Sequence, residues 1–281
     1  MLVSMSDGVA SPDPGPGADP TPLRRVAAIR YVLPLREGGS LPALVEADDQ
    51  ELYVLKFRGA GQGTKALAAE LLGGEIARAA GLSVPALAFI DLEPALGRSE
   101  PDWEIQQLVT ASAGLNLGLA YLSGSVMFDP GGSPAPSGAL ASSIVWMDAY
   151  LSNVDRTARN SNLLLWHRDL WLIDHGAALY WHHDWEPTRD RTADPFSLIR
   201  DHVLLRWADN LPAADARITA ALTDERLAAI VAQLPDDWLT GQPPFPTAAE
   251  HRAGYLAYLR QRRDHSAAFV KEAVDARARR L

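Results

Sequence analysis

The sequence predicts an α+β protein in two lobes, a small β-rich N-terminal lobe with one helix and a mostly helical C-terminal lobe. Two observations lead to this. Short aliphatic runs parted by glycine and aspartate turns fill about the first hundred positions, with a single stretch of helical spacing among them. Past about residue 195 the apolar residues recur as they do in helices, and 281 residues suffice for two modest lobes around a shared cleft.

Residues 1–22 are rich in Pro, Gly, Asp and Ser and are expected to form a disordered tail. Strands are expected over Val26–Leu35, Leu41–Ala47 and Leu52–Phe57, separated by turns at Gly38-Gly39-Ser40 and Asp48-Asp49-Gln50. A glycine-broken loop, Gly59 to Gly63, leads into a helix over Thr64–Ala80 that Gly81 and Pro85 close. Leu67, Leu71, Gly74 and Arg78 carry its helical spacing, and Leu72, Ile76 and Ala80 widen the apolar face. Pro85–Leu92 and Trp103–Val109 read as two further strands, which completes an N-terminal lobe at 23–110.

The second lobe, 111–281, opens with a glycine- and serine-rich stretch to residue 138 that gives little structural signal. Ala139–Leu151 reads as a buried helix ending at Ser152-Asn153. Leu163–Trp166 and Leu170–Ile173 form the arms of a hairpin around His167-Arg168-Asp169. Leu222–Leu234 and Ala248–Ala278 are the clearest helices, with a proline-rich break at Gly241–Pro246 between them.

Composition excludes several functions. A net charge of −9 argues against a nucleic-acid partner, which asks for a basic footprint. With no cysteine there is no disulfide, thiolate zinc site or cysteine nucleophile. No apolar run reaches the length of a membrane span. The first 22 residues lack the basic start and apolar run of a secretory signal, so a cytoplasmic protein is expected.

The chemistry is concentrated in Asn153 to Gly176. Phosphoryl transfer from ATP to a hydroxyl needs a carboxylate to orient the hydroxyl proton, and oxygen ligands for magnesium. Asp155 and Asn160 stand five positions apart in a loop after the buried helix, and Asp174-His175-Gly176 follows the hairpin fourteen residues after Asn160. Asp, Asn, Gly and Arg are also the makings of an ordinary loop, so this stretch does not decide alone. Lys56 strengthens it. It lies in the apolar strand Val54-Leu55-Lys56-Phe57, where a lysine either points to solvent or meets a carboxylate and phosphate. The next helix offers Glu70 and Glu75. Glu70 falls inside the apolar stripe, where a charge needs a partner, whereas Glu75 flanks the stripe and reads as solvated.

These residues resemble those of the HipA-like kinase families, above all their shorter stand-alone actinobacterial-type members. Such proteins share a two-lobed protein-kinase-like fold with the phosphoinositide 3-kinases. The resemblance rests on Tyr53-Val-Leu-Lys56-Phe-Arg-Gly59, Gly61-Gln-Gly63, Ala69-Glu70-Leu-Leu, Gly81-Leu-Ser-Val-Pro85, Asn153-x-Asp155-Arg156-x3-Asn160 and Ile173-Asp174-x-Gly176, within about residues 26–180. It implies an ATP- and Mg2+-dependent kinase that transfers the γ-phosphoryl group to a hydroxyl, most often Ser or Thr of a protein. Asp155 would be the catalytic base, Asn160 and Asp174 the magnesium ligands, and Lys56 the phosphate-holding lysine with Glu70 as its partner. Gln107 and Leu108, at the end of the expected fifth strand, would sit near the adenine hinge. The phosphate-contacting turn is either Gly38-Gly39-Ser40 or the loop with Gly61 and Gly63, through backbone N–H groups. The chain departs from the pattern twice. It carries Asp-His-Gly in place of Asp-Phe-Gly, and Thr157 where the HipA proteins proper have a histidine. A nucleotide-binding pseudokinase acting by interaction and a small-molecule kinase on the same fold are the alternatives, and fold analogy does not choose among them.

Three other features carry less. Adjacent histidines on an extended chain point to opposite faces, which disfavours a metal site at His182-His183-Asp184; the surrounding aromatics are expected to pack on the C-terminal lobe or line the substrate mouth. Arg156 and Arg159 are either solvated or hold a phosphate or a regulatory carboxylate. No Gly-x-Ser-x-Gly elbow supports a hydrolase.

Overall fold

Alternating burial builds the first unit. In the computed structural model, which describes residues 17–35, 41–186 and 190–280, β1 (Arg24–Pro34), β2 (Ala43–Ala47), β3 (Leu52–Lys56), β4 (Leu87–Leu92) and β5 (Gly114–Ala120) close into a barrel in the order β1-β2-β3-β5-β4. Neighbours are antiparallel except where β4 returns to β1 in parallel. Val26, Val45, Tyr53, Leu55 and Ile90 fill the barrel. Tyr53 and Leu55 point inward along β3, so the pleat turns Lys56 to the outer face. A Cβ on Gly118 would meet Ile90 Cγ1 at 2.7 Å, so β5 passes this strand only as glycine.

The helix α1 (Gly63–Ala79) covers that outer face and belongs to the second, larger core. Its Leu67, Leu71, Leu72 and Ile76 pack in one cluster with residues from the C-terminal half. The helix α2 (Trp103–Ala111) packs back on the barrel, and the C-terminal half then holds the strand β6 (Val126–Met127) and the almost wholly buried α3 (Gly138–Leu151). Next come β7 (Leu163–Trp166) and β8 (Asp169–Leu172), which form a three-stranded sheet with β6. Helices α4 (Leu211–Ala221), α5 (Asp224–Ala232), α6 (Asp236–Leu239), α7 (Ala248–Asp264) and α8 (Ser266–Ala278) complete it. Trp238 of α6 clasps the barrel to this helical half. Its indole N–H donates to the Leu115 carbonyl of β5 at 3.1 Å, its own carbonyl accepts from Thr64 Oγ1 at 2.9 Å, and its ring meets Phe89 edge-on.

Several expectations change. Trp103–Val109 is helical: Asp102 caps it by accepting from the Glu104 N–H at 3.0 Å, and Ile105, Leu108 and Val109 pack on the barrel at helical spacing. The fifth strand is Gly114–Ala120, beyond the boundary expected at 110, in a segment whose glycines and asparagine resembled loop. Ala248–Ala278 is two helices that break at His265. Residues 1–16 and the turn Gly38-Gly39-Ser40 lie outside the described residues. The remainder of the expected tail is held in place, with the Gly17 N–H on the Arg78 carbonyl and Asp19 paired with Arg226. Among the described residues no helix is long and apolar enough to cross a membrane.

Trp238→Ala should therefore lower unfolding free energy by about 3–5 kcal/mol, the range for truncating a buried aromatic. Trp103→Ala, on a side chain 61% exposed, should stay within about 0.5 kcal/mol. Urea unfolding of the two variants checks both.

Candidate active site

A buried carboxylate at the end of α3 shapes the loop that follows. Asp148 is wholly inaccessible and accepts from Asn153 Nδ2 at 2.9 Å, Arg156 Nε at 2.6 Å and His202 Nε2 at 2.8 Å. His202 Nδ1 accepts the Leu204 N–H at 3.0 Å, which puts the imidazole proton on Nε2 and aims it at Asp148. Burial pushes the Asp148 carboxyl up, but Arg156 and His202 outweigh it and hold it well below the usual carboxylate range. For His202 burial wins over the hydrogen bond to Asp148, so the imidazole stays neutral below its ordinary value. The Arg156 guanidinium spends its remaining reach on the backbone, donating to the Asn162 carbonyl and, at 3.3 Å, to that of Ile173. One side chain thus ties the 153–162 loop to the segment that runs from β8 to Asp174.

On this frame stand the polar groups. Asp155 Oδ2 accepts from Asn160 Nδ2 at 2.8 Å and Asn162 Nδ2 at 3.1 Å, and its N–H donates to Asn153 Oδ1. These hydrogen bonds involve neither Asp155 Oδ1 nor the Asn160 amide oxygen. Asp174 adopts φ +55°, a left-handed conformation rare outside glycine and a mark of local strain. Its Oδ1 meets Lys56 Nζ at 2.8 Å. Lys56 Nζ also lies 3.9 Å from Glu70 Oε2, and Glu70 Oε1 lies 3.6 Å from His175 Nδ1. Burial pushes the Lys56 ammonium down, but Glu70, Asp174 and Asp155 together raise it, so it stays charged. Glu70 is likewise pushed up by burial and brought down further by Lys56 and His175, so it stays ionised.

Lys56, Glu70, Asp155, Asn160 and Asp174 all line a single cavity of about 280 Å³. Gly61 and Gly63 line it too, because the loop after β3 folds over its edge. Gln107 and Leu108 do not: they sit on α2, with Gln107 exposed and Leu108 packed on the barrel. Glu75, expected in solvent, is buried and paired with Arg78 at 3.5 Å. Arg156 is a buried anchor and not a free arginine, while Arg159 is exposed.

Phe57, Ala60, Ala66, Leu67 and Ala177, not expected at the site, line the cavity too; the helix start at Gly63 signals Ala66 and Leu67. The paired histidines also differ from expectation. Residues 180–184 form a 3-10 turn, not an extended chain, which brings His182 Nε2 to 3.2 Å from His183 Nε2. Among the described residues no group of three or more metal-binding side chains gathers there or elsewhere. Trp181 and Trp185 pack against Tyr258 and Tyr255 of α7.

The chain belongs to the HipA-like kinase family, whose model matches residues 29–266. Solved structures similar to it include the Helicobacter pylori proinflammatory kinase CtkA, at 12% identity and TM-score 0.48, covering 92% of this chain and 99% of that one. A Golgi casein kinase with Mn and ADP bound is similar at 12% identity and TM-score 0.48, over 90% of this chain and 74% of that one. No curated protein matches the chain.

The Asp148 network makes stability fall as pH falls. Below about pH 6.5 the unfolded chain protonates His202 while the fold keeps it neutral, and below about pH 4 the unfolded chain protonates Asp148 while the fold keeps it ionised. Chemical unfolding measured from pH 7 to 3.5 should show stability declining throughout. His202→Gln should flatten the part between about pH 7 and 5.

Proposed function

We propose that the chain is a phosphotransferase with a two-lobed protein-kinase-like arrangement, using ATP and Mg2+ to phosphorylate a hydroxyl, most often Ser or Thr of a protein. The observation that carries this reading is the convergence of Lys56, Asp155, Asn160 and Asp174 on one cavity whose rim is a glycine loop and the start of α1. Family membership supports the reaction class.

The residues fit a magnesium nucleotide. Mg2+ prefers hard oxygen donors, and the Asp174 carboxylate and the Asn160 amide oxygen, whose Nδ2 is already committed to Asp155, would supply them. When bound there, the ion neutralises charge on the nucleotide phosphates. Asp174 now shares its oxygen with Lys56, which stays charged and available to a phosphate. Glu70 keeps that ammonium beside the cavity from the α1 side. Gly61 and Gly63 let backbone N–H groups come close to phosphate oxygens, and α1 starts there with neither a side-chain cap nor an acidic residue in its first turn. Asp155, with Oδ2 fixed by two asparagine amides, offers Oδ1 to orient the acceptor hydroxyl and take its proton.

Radiolabelled-phosphate transfer from ATP with magnesium, tried on protein and small-molecule acceptors, tests the activity. Nucleotide binding without transfer to any acceptor would favour a pseudokinase, and no nucleotide binding would end the proposal. Asp155→Asn should keep nucleotide affinity and lower the transfer rate by about 10² to 10⁴, the usual worth of a general base. Asp174→Ala should abolish the gain in ATP affinity that magnesium brings, as read by calorimetric titration with and without the ion.

A further inference from the structure

The residue after Asp174 is a histidine with no role in the chemistry above. His175 is wholly buried, and neither ring nitrogen has a hydrogen-bond partner. An unsatisfied buried polar group is destabilising, so packing alone would favour an apolar side chain there. The ring's place is also specifically cleared. A Cβ built on Gly73 would lie 2.5 Å from His175 Cβ and 2.9 Å from Cγ. A mid-helix glycine is less stable than alanine, and α1 carries one where the His175 side chain enters.

What the ring meets inside is Glu70. Its Nδ1 stands 3.6 Å from Glu70 Oε1, while Glu70 Oε2 faces Lys56, and neither carboxylate oxygen has a hydrogen bond. A shift of a few tenths of an ångström closes the first contact to hydrogen-bonding distance. The contacts then run in a ring: Lys56 to Asp174, along the backbone to His175, across to Glu70 and back to Lys56.

We propose that His175 is a positioning residue whose Nδ1–H holds Glu70 in the orientation that keeps Lys56 at the nucleotide phosphates when Asp174 engages metal. This rests on the phosphotransferase reading. Glu70 has two polar groups to choose between, and Lys56 is also drawn to Asp174. The imidazole fixes one carboxylate oxygen so that the other stays turned to the lysine. It also makes the metal loop and α1 move together, since displacing Asp174 withdraws the donor from Glu70.

Calorimetric titration of the full chain with ATP and magnesium tests this, using variants that separate shape from donor. His175→Asn keeps an N–H donor near the Nδ1 position, His175→Gln moves it outward, and His175→Leu removes it. The asparagine variant should bind within threefold of wild type, and the glutamine and leucine variants at least tenfold more weakly. In a Glu70→Gln background the leucine change should cost less than threefold further, an outcome that a packing role alone would not give. If the leucine variant fails to fold, asparagine against glutamine still decides. Equal affinities across the asparagine and glutamine variants, or an undiminished leucine effect without Glu70, would overturn the proposal while leaving the nucleotide site intact. A wild-type chain that does not bind magnesium ATP would overturn the phosphotransferase reading and this proposal with it.

Discussion

The geometry of this protein hangs on one carboxylate that never meets water. Asp148, at the end of a helix buried on nearly every side, holds Asn153, Arg156 and His202 together. Removing two charges from water is expensive, and such a pair is worth keeping when its remaining hydrogen bonds are satisfied in fixed directions. Here all but that of Arg156 Nη2 are. Asn153 turns its other amide atom to the Asp155 N–H, and Arg156 reaches two carbonyls, of Asn162 and Ile173, that flank the hairpin on either side. The spacing between Asp155 and Asp174 therefore follows from a guanidinium buried behind them.

The second constraint lies on the barrel side. Among the described residues Lys56 is the one cationic side chain that lines the cavity, and three acidic groups raise its pKa against burial. Its strand belongs to the barrel, Glu70 to α1, and Asp155 and Asp174 to the helical half. The lysine thus draws all three parts together electrostatically. Trp238 does the same mechanically, linking β5 and the first turn of α1 through hydrogen bonds from a single residue.

Much of the site was legible because its residues obey simple spacings. Lys56 alternates with Tyr53 and Leu55 along a strand, Glu70 sits in the apolar stripe of α1, and Asp155, Asn160 and Asp174 bracket a hairpin. What could not be read depended on long-range partners. Arg156 looks like any loop arginine until Asp148 and Ile173 close around it. Gly73 is explained only by the ring of His175, which arrives about a hundred residues later. The strand and helix near residue 110 were exchanged for a local reason. Trp103, Ile105 and Val109 fit a two-residue period as well as a helical one, whereas Gly114, Asn116 and Gly118 hide the alternation of Leu115, Leu117 and Leu119. Asn116 stays in its strand because its amide is satisfied by Arg58, Ser112 and Gly114.

On the proposed reading Asp174, Asn160 and Lys56 form one metal-nucleotide site in the cavity that they line. A crystal structure with manganese and a non-hydrolysable ATP analogue decides this, because manganese reveals its own position by anomalous scattering. The expected result is an anomalous peak within coordination distance, about 2.0–2.4 Å, of oxygens from both Asp174 and Asn160, with the phosphates between Lys56 and the Gly61–Gly63 loop. A nucleotide bound elsewhere, or a metal held by neither residue, would contradict it.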